Sequence, residues 1–196
     1  RNKDIKSIPK SKPNVAKSDD RYFHISFDKT LEGVWNPNRP DGYWDESDSN
    51  DTSDKSWPYP EPSLPRISVS TSLEGCFRGV YPNVYRYFEV EKYPFMLFNI
   101  YEAVYTGKEK ILTTDQLTKD RMVWDAHVTK ECCFLSPVKM KLVGELKVLN
   151  TNKSKTLMIH PFNDKRLPKE SVGPVDIEYS IKWTDNRSYS PESIFG

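Results

Sequence analysis

Apolar and polar residues alternate with a period of two along much of this chain, the pattern of strands with one face buried. Toward the C-terminus, Val175, Ile177, Tyr179, Ile181 and Trp183 alternate with Asp176, Glu178, Ser180 and Lys182. Over residues 138–148, Val138, Met140, Leu142, Leu146 and Val148 are expected on one face, with Lys139, Lys141, Glu145 and Lys147 mostly on the other. Gly144 interrupts that run and predicts a bulge. Residues 21–27 predict an earlier strand, with Phe23, Ile25 and Phe27 facing one way and His24 the other. Further strands are predicted over 66–70, 85–90, 95–105, 128–135 and 155–159.

Helical signals are few and short. Ser72 is a predicted N-cap for a helix with a small side at Gly75 and Gly79, expected to end by Pro82. A second short helix is predicted over 114–119, capped by Thr113 or Thr114, after a turn at Thr106-Gly107-Lys108. Strands therefore dominate, and the expected class is α+β, mostly β.

Composition bounds the organisation. With 196 residues, the chain suits one domain with appended loops or a tail. Residues 1–20 carry Lys, Ser and Pro with almost no large apolar side chains, and are expected as a flexible N-terminal arm. Residues 21–196 then form a single β-rich domain. Within it, residues 36–65 read as a long loop rich in Asp, Ser and Pro, studded with Tyr43, Trp44, Trp57 and Tyr59. Its acidic run from Asp41 to Asp54 would repel a polyanion, and the net charge of +1 gives no global attraction, so nucleic acid is not the expected partner. No stretch approaches the roughly 18 apolar residues of a spanning helix, so no membrane partner is expected either. The chain begins without Met, which leaves open a part preceding Arg1.

Three cysteines, with Cys132 and Cys133 adjacent, make a poor disulfide framework. Adjacent strand residues point to opposite faces, so no shared metal site is expected, and buried thiols in a reducing cytoplasm are the simplest expectation. A thiol nucleophile paired with His127 is disfavoured on the same geometry.

Three polar stretches lie on or beside predicted strands: Tyr22-Phe23-His24-Ile25-Ser26, then Arg66 through Ser70-Thr71-Ser72, then Lys130-Glu131-Cys132-Cys133-Phe134-Leu135. Their order resembles the ADP-ribosyltransferase fold, a split β-sandwich that grips NAD in a cleft. One branch of that family carries a His on the first strand, matched by His24, and another a Ser-Thr-Ser run, matched by Ser70, Thr71 and Ser72. The rifampicin-modifying transferases have a similar strand–Pro–strand ending, here Ser136-Pro137-Val138 through Leu146. The chain also resembles a set of phage and prophage proteins through Phe23 to Ser26, Pro65 to Cys76 and Leu135 to Gly144, a likeness that brings no activity with it. It departs from the transferase pattern in three ways, one of them that the tyrosine that stacks on nicotinamide in the His branch has no firm counterpart. The motifs come from two branches, and Thr129 stands where arginine-modifying members carry a second acidic residue.

The resemblance implies NAD as substrate, with Glu131 as the catalytic carboxylate and His24 orienting a ribose. Ser70 or Ser72 would hold the carboxamide or fix Glu131. Arg66 or Arg78 would pair with the pyrophosphate, and Tyr81 and Tyr85 are only candidates for the stacking tyrosine. A phage-borne transferase would act on a host protein. Each residue also has a plainer reading. His24 could make only a backbone hydrogen bond, Ser70-Thr71-Ser72 could be a strand end plus N-cap, and Glu131 could be a solvated strand residue. A different class stays open beside the enzyme: a non-enzymatic phage or prophage inhibitor that binds a host defence protein through its surface loops.

Overall fold

The longest pairing in the molecule joins strand β5 (Phe95–Val104) to strand β8 (Val138–Leu149). In this computed structural model the described residues are 11–17, 20–39, 64–89, 91, 93–120, 122–123, 125–150 and 179–185. The remaining strands are β1 (Asn14–Val15), β2 (Phe23–Ser26), β3 (Gly33–Trp35), β4 (Ile67–Ser70), β6 (Lys110–Leu112), β7 (Glu131–Phe134) and β9 (Tyr179–Trp183). Three helices accompany them: α1 (Leu73–Glu89), α2 (Thr114–Lys119) and α3 (Ala126–Thr129). The strands form one antiparallel sheet in the order β1-β6-β7-β4-β2-β5-β8-β3, with β9 also paired to β8. The fold is α+β and mostly β, as the alternation predicts.

Both faces of the sheet are covered at its centre, and this sets the sequence pattern there. Ile100 and Tyr101 are adjacent in β5, point to opposite faces and are both fully buried. On one face, α1 packs Leu73, Phe77, Val84 and Phe88 against Phe23, Ile25, Phe98 and Ile100. On the other, Tyr22, Ile67, Val69, Tyr101, Cys132 and Phe134 form a second core. A third cluster gathers Leu117 of α2 and Ala126 of α3 against Leu112 and Cys133. Cys132 and Cys133 thus enter different cores, and all three cysteines are free thiols.

The structure departs from the sequence reading at four places. Helix α1 does not end at Pro82 but continues to Glu89, taking in residues 85–89, which had the look of a strand. An internal proline costs about 3 kcal/mol. The buried stripe Leu73, Phe77, Val84 and Phe88 has helical spacing, and burying such side chains contributes roughly 1.5–3 kcal/mol each, so packing wins. Residues 128–130 are not strand. Ala126–Thr129 makes a helical turn, Lys130 closes it in the left-handed region at φ 50°, and β7 begins at Glu131. Residues 11–17 of the expected flexible arm are ordered: Asn14 and Val15 pair with Ile111 and Lys110 of β6, and Ala16 is buried.

The fourth departure is the face of β8. Ile100 pairs with Gly144, yet Tyr101 pairs with Leu142, so Val143 is an extra residue on the bulged strand. One inserted residue sends every side chain beyond it to the opposite face. Val138 and Met140 lie in the second core, whereas Leu146 and Val148 join the core under α1. The predicted bulge is present, but the single apolar face is not.

Other expectations hold. Thr113 caps α2 in a capping box, accepting from the Gln116 N–H while the Gln116 side chain accepts from the Thr113 N–H. Gly107 takes φ 81° in the turn before β6. Tyr179, Ile181 and Trp183 of β9 alternate inward against the core under α1. Strands β3 and β6 give no clear sequence signal, being three residues each. The predicted strand over 155–159 and most of the 36–65 loop lie outside the described residues.

Strand β9 approaches β8 closely at Gly144, where a Cβ would stand 2.9 Å from Lys182 O and 3.2 Å from Trp183 Cε3. Gly144→Val should therefore displace β9 and cost about 1–3 kcal/mol in equilibrium urea unfolding. An unchanged midpoint would show that the β8–β9 contact does not contribute to stability.

Candidate functional site

Alternation along β4 separates its two roles. Ile67 and Val69 enter the core away from α1, leaving Arg66, Ser68 and Ser70 to face the helix side. Across the sheet, Ser70 pairs with Glu131 of β7 on one side and with Phe23 of β2 on the other. Helix α1 passes over this row, and between helix and strands lies an open cleft of about 290 Å³. Its lining includes His24, Arg66, Ser68, Ser70 and Glu131 from the strands, with Gly75, Cys76 and Gly79 from α1.

His24 reaches this cleft from an unexpected direction. By alternation it belongs to the face opposite Phe23 and Ile25. Among the described residues, however, β2 and β4 are paired only at Phe23 and Ser70. Two residues along from Ser70 toward Arg66, His24 Nδ1 lies 3.1 Å from Ser68 O, so the imidazole bridges the two strands. A carbonyl only accepts, so Nδ1 carries the hydrogen and the neutral ring offers Nε2 as an acceptor. The ring also meets Trp35 edge-on at 4.9 Å between centroids. Burial lowers the pKa of His24 below the usual histidine value, and the bond to Ser68 opposes that shift.

The Ser-Thr-Ser run has structural duties. The Ser70 hydroxyl donates to Thr129 O at 2.7 Å and accepts from the Ser72 N–H at 3.2 Å. Ser72 caps α1: its Oγ accepts from the Gly75 N–H at 3.0 Å and its carbonyl from the Cys76 N–H at 3.1 Å. Thr71 is exposed, and its N–H donates to Lys130 O at 3.3 Å. Of the three, Ser70 lines the cleft, whereas Thr71 and Ser72 do not.

Together these bonds hold the turn that delivers Glu131. Thr129 and Lys130 give their carbonyls to Ser70 and Thr71, and the Glu131 carbonyl accepts from Thr114 Oγ1 at 2.8 Å. The Glu131 carboxylate accepts a long contact from Cys133 Sγ at 3.6 Å. Arg78 pairs with Glu74 one helical turn away, so Arg66 is the arginine lining the cleft. The side chains of Tyr81 and Tyr85 lie outside what is described.

The nearby thiols are held protonated. Burial pushes Cys76 up to about 12, with the Glu131 charge adding to the rise and hydrogen bonds from Ser70 opposing it. Burial, then the Glu131 charge, raises Cys133 well above the usual thiol value, with Arg66 opposing, and Cys132 is raised mainly by burial. A thiol so raised is a poor nucleophile at neutral pH. Among the described residues no group of three or more His, Cys, Asp or Glu side chains is disposed to hold a metal ion, and no helix is long and apolar enough to cross a membrane.

The lining thus combines Arg66, His24 and Glu131 with apolar side chains such as Phe23, Ile25 and Val80. The sequence reading did not single out Ser68, Gly79 or Cys76 as lining residues. Ser68 is carried by the period-two set Arg66, Ser68, Ser70 on β4 and Gly79 by the i, i+4 spacing of Gly75 and Gly79 on α1, whereas no sequence signal carries Cys76. Compared with family models, with curated proteins and with solved structures, the chain matches none.

Two outcomes follow from this geometry. A Cβ at Gly75 would fall on Thr129 O and Ser70 Oγ and stand 2.8 Å from Thr129 C. Gly75→Ala should lose about 1–3 kcal/mol or more in urea unfolding, despite the better helix propensity of Ala. A wild-type midpoint would mean that α1 can move away from the turn.

The second concerns pH. The pKa of His24 is lowered in the folded state, so the unfolded chain takes up the proton first. Its contribution to stability is present above the ordinary histidine value of about 6.5 and is lost as pH falls through the lower folded value. Melting temperature should drop between about pH 7 and 5, and His24→Gln should flatten that drop. An equal drop in both proteins would assign it to other groups.

Proposed function

We propose that the protein binds NAD in the cleft between α1 and strands β2, β4 and β7, and cleaves its glycosidic bond in the manner of an ADP-ribosyltransferase. One observation supports the reading. His24 of β2, Arg66 and Ser70 at β4, and Glu131 of β7 line a single cleft. The resemblance implies these four together with Thr71 and Ser72, which do not line the cleft. In NAD cleavage the bond between ribose C1′ and the nicotinamide nitrogen breaks, and positive charge develops on the ribose. A carboxylate beside it stabilises that charge, which is the role of Glu131. Nicotinamide leaves with the bonding electron pair, and a nucleophile, water or a side chain of a target protein, takes C1′.

The neutral His24 accepts a ribose hydroxyl through Nε2 without needing to ionise. Arg66 meets the pyrophosphate, for which a guanidinium fork is well shaped. Ser70 acts through the backbone, holding the Thr129 carbonyl and thus the turn before Glu131. The volume of about 290 Å³ sits at the lower edge of ordinary ligand sites, roughly 300–1,000 Å³. One half of the dinucleotide then enters the cleft and the other lies across its open rim. A phage origin and a host protein as acceptor rest on the resemblance alone.

NAD at about a hundred times its dissociation constant should raise the melting temperature by roughly 5–10 °C. Glu131→Gln should reduce nicotinamide release, followed by proton NMR, by about a hundredfold or more while NAD still stabilises the fold. Absence of both stabilisation and release at high protein concentration would remove the enzyme reading.

A further inference from the structure

Residues 11–17 are fastened along the edge of the sheet. Asn14 and Val15 pair with Ile111 and Lys110 of β6, and the Ala16 N–H donates to Glu109 O at 3.2 Å. At one end the Ser11 N–H donates to Asp120 Oδ2 at 2.7 Å, and the Lys12 carbonyl accepts from Gln116 Nε2 at 2.7 Å. At the other, Tyr105 Oη donates to Lys17 O at 2.5 Å. Ala16 is buried, whereas Lys12, Asn14, Val15 and Lys17 are exposed. So short a pairing with so little buried surface belongs to the low end of local stability, where a segment opens while the rest of the sheet stays folded.

Two of its partners lead to the cleft. Gln116 holds Lys12 with its amide nitrogen, and its amide oxygen accepts from the Thr113 N–H at 3.0 Å. The next residue, Thr114, donates from Oγ1 to Glu131 O at 2.8 Å and lies 3.6 Å from Cys132 Sγ. Strand β6, which the segment pairs with, is in turn paired to β7 at Phe134 and Cys133, and β7 begins with Glu131.

We propose that residues 11–17 form a detachable strap that positions Glu131 in the cleft, acting through Gln116 and Thr114 of α2. With the strap docked, both amide atoms of Gln116 are engaged and the first turn of α2 is fixed. Thr114 on that turn is the positioning residue, because its hydroxyl holds the backbone from which the Glu131 side chain springs. With the strap released, Gln116 loses Lys12 O, and the turn that presents Thr114 is free to shift. The coupling is reciprocal, so whatever favours Glu131 in place also favours the docked strap. The inference deepens the proposed function and rests on the NAD reading for the identity of the ligand, not for the coupling itself.

NMR on the full chain tests it, with amide exchange reporting the strap and the carboxylate ¹³C resonance reporting Glu131. Ala16→Pro removes the donor to Glu109 O and should speed exchange of the Ser11 amide by about tenfold, while amides of β5 and β8 keep their protection. The Glu131 resonance should move in Ala16→Pro and in Thr114→Val and return toward its wild-type position in Thr114→Ser. It should stay in place in Gly144→Val, a variant weakened at β9 instead, which separates positioning from general loss of stability. NAD should bind about tenfold more weakly to Ala16→Pro and slow Ser11 exchange in the wild type by a like factor. Should Ala16→Pro fail to fold, Gln116→Met breaks the bond to Lys12 O and carries the test. Faster Ser11 exchange with an unmoved Glu131 resonance would overturn the coupling, whether or not NAD binds. A Ser11 amide as slow as in the wild type would overturn the detachable strap. A Glu131 resonance that moves as expected, with NAD bound by none of the proteins, would uphold the strap and remove the NAD reading.

Discussion

Helix α1 sits so near the turn between α3 and β7 that position 75 has room only for hydrogen, and the rest of the site depends on that approach. The Ser70 hydroxyl occupies the same contact. It takes its proton acceptor from Thr129 and offers its lone pair to the start of α1. One side chain therefore fastens a strand, a helix N-terminus and a turn together. Without it, the Thr129 carbonyl and the N–H of the N-cap residue Ser72 would each lose a partner, at a cost of about 1–3 kcal/mol apiece. The cleft exists because the helix is pinned at this end yet stays bare one turn further on.

The sheet supplies the second constraint. A strand covered on both faces cannot advertise its inward side by alternation, because both sets of side chains are apolar. That is the situation of Ile100 and Tyr101 at the centre of β5. The bulge at Val143 lets β8 serve both layers in turn, first the core away from α1 and then the core beneath it. Strand β2 serves both layers too, with Tyr22 entering one core just before Phe23 and Ile25 enter the other. Its partner β4 is joined to it at one position, and His24 bridges the gap beyond. A histidine that would otherwise be a surface strand residue becomes part of the cleft through this local thinning of the sheet.

Burial, more than any neighbouring charge, sets the titration of the groups around the cleft. Burial raises the neighbouring thiols, with the Glu131 charge adding to it, and so keeps them out of nucleophilic chemistry. The imidazole is pushed toward its neutral form by burial, so Arg66 is the cationic side chain of the lining.

Much of the fold was legible in the residues themselves. The strand at residues 23–26, the Ser72 cap, the Thr113 capping box, the turn at Gly107 and the last strand rest on local rules of alternation, capping and backbone freedom, which act within a few residues. The residues of the cleft could be nominated too, since His, Ser and Glu on strands carry chemistry wherever they lie. Tertiary contact decided the rest. Pro82 stays helical because Val84 and Phe88 bury against the sheet, a gain no local rule contains. Lys130 takes a left-handed conformation because the turn is tied to Ser70 and Thr71, more than fifty residues away in the chain. The face of Leu146 depends on one extra residue against β5. Such choices turn on long-range burial and register, and these come into being only when distant strands meet.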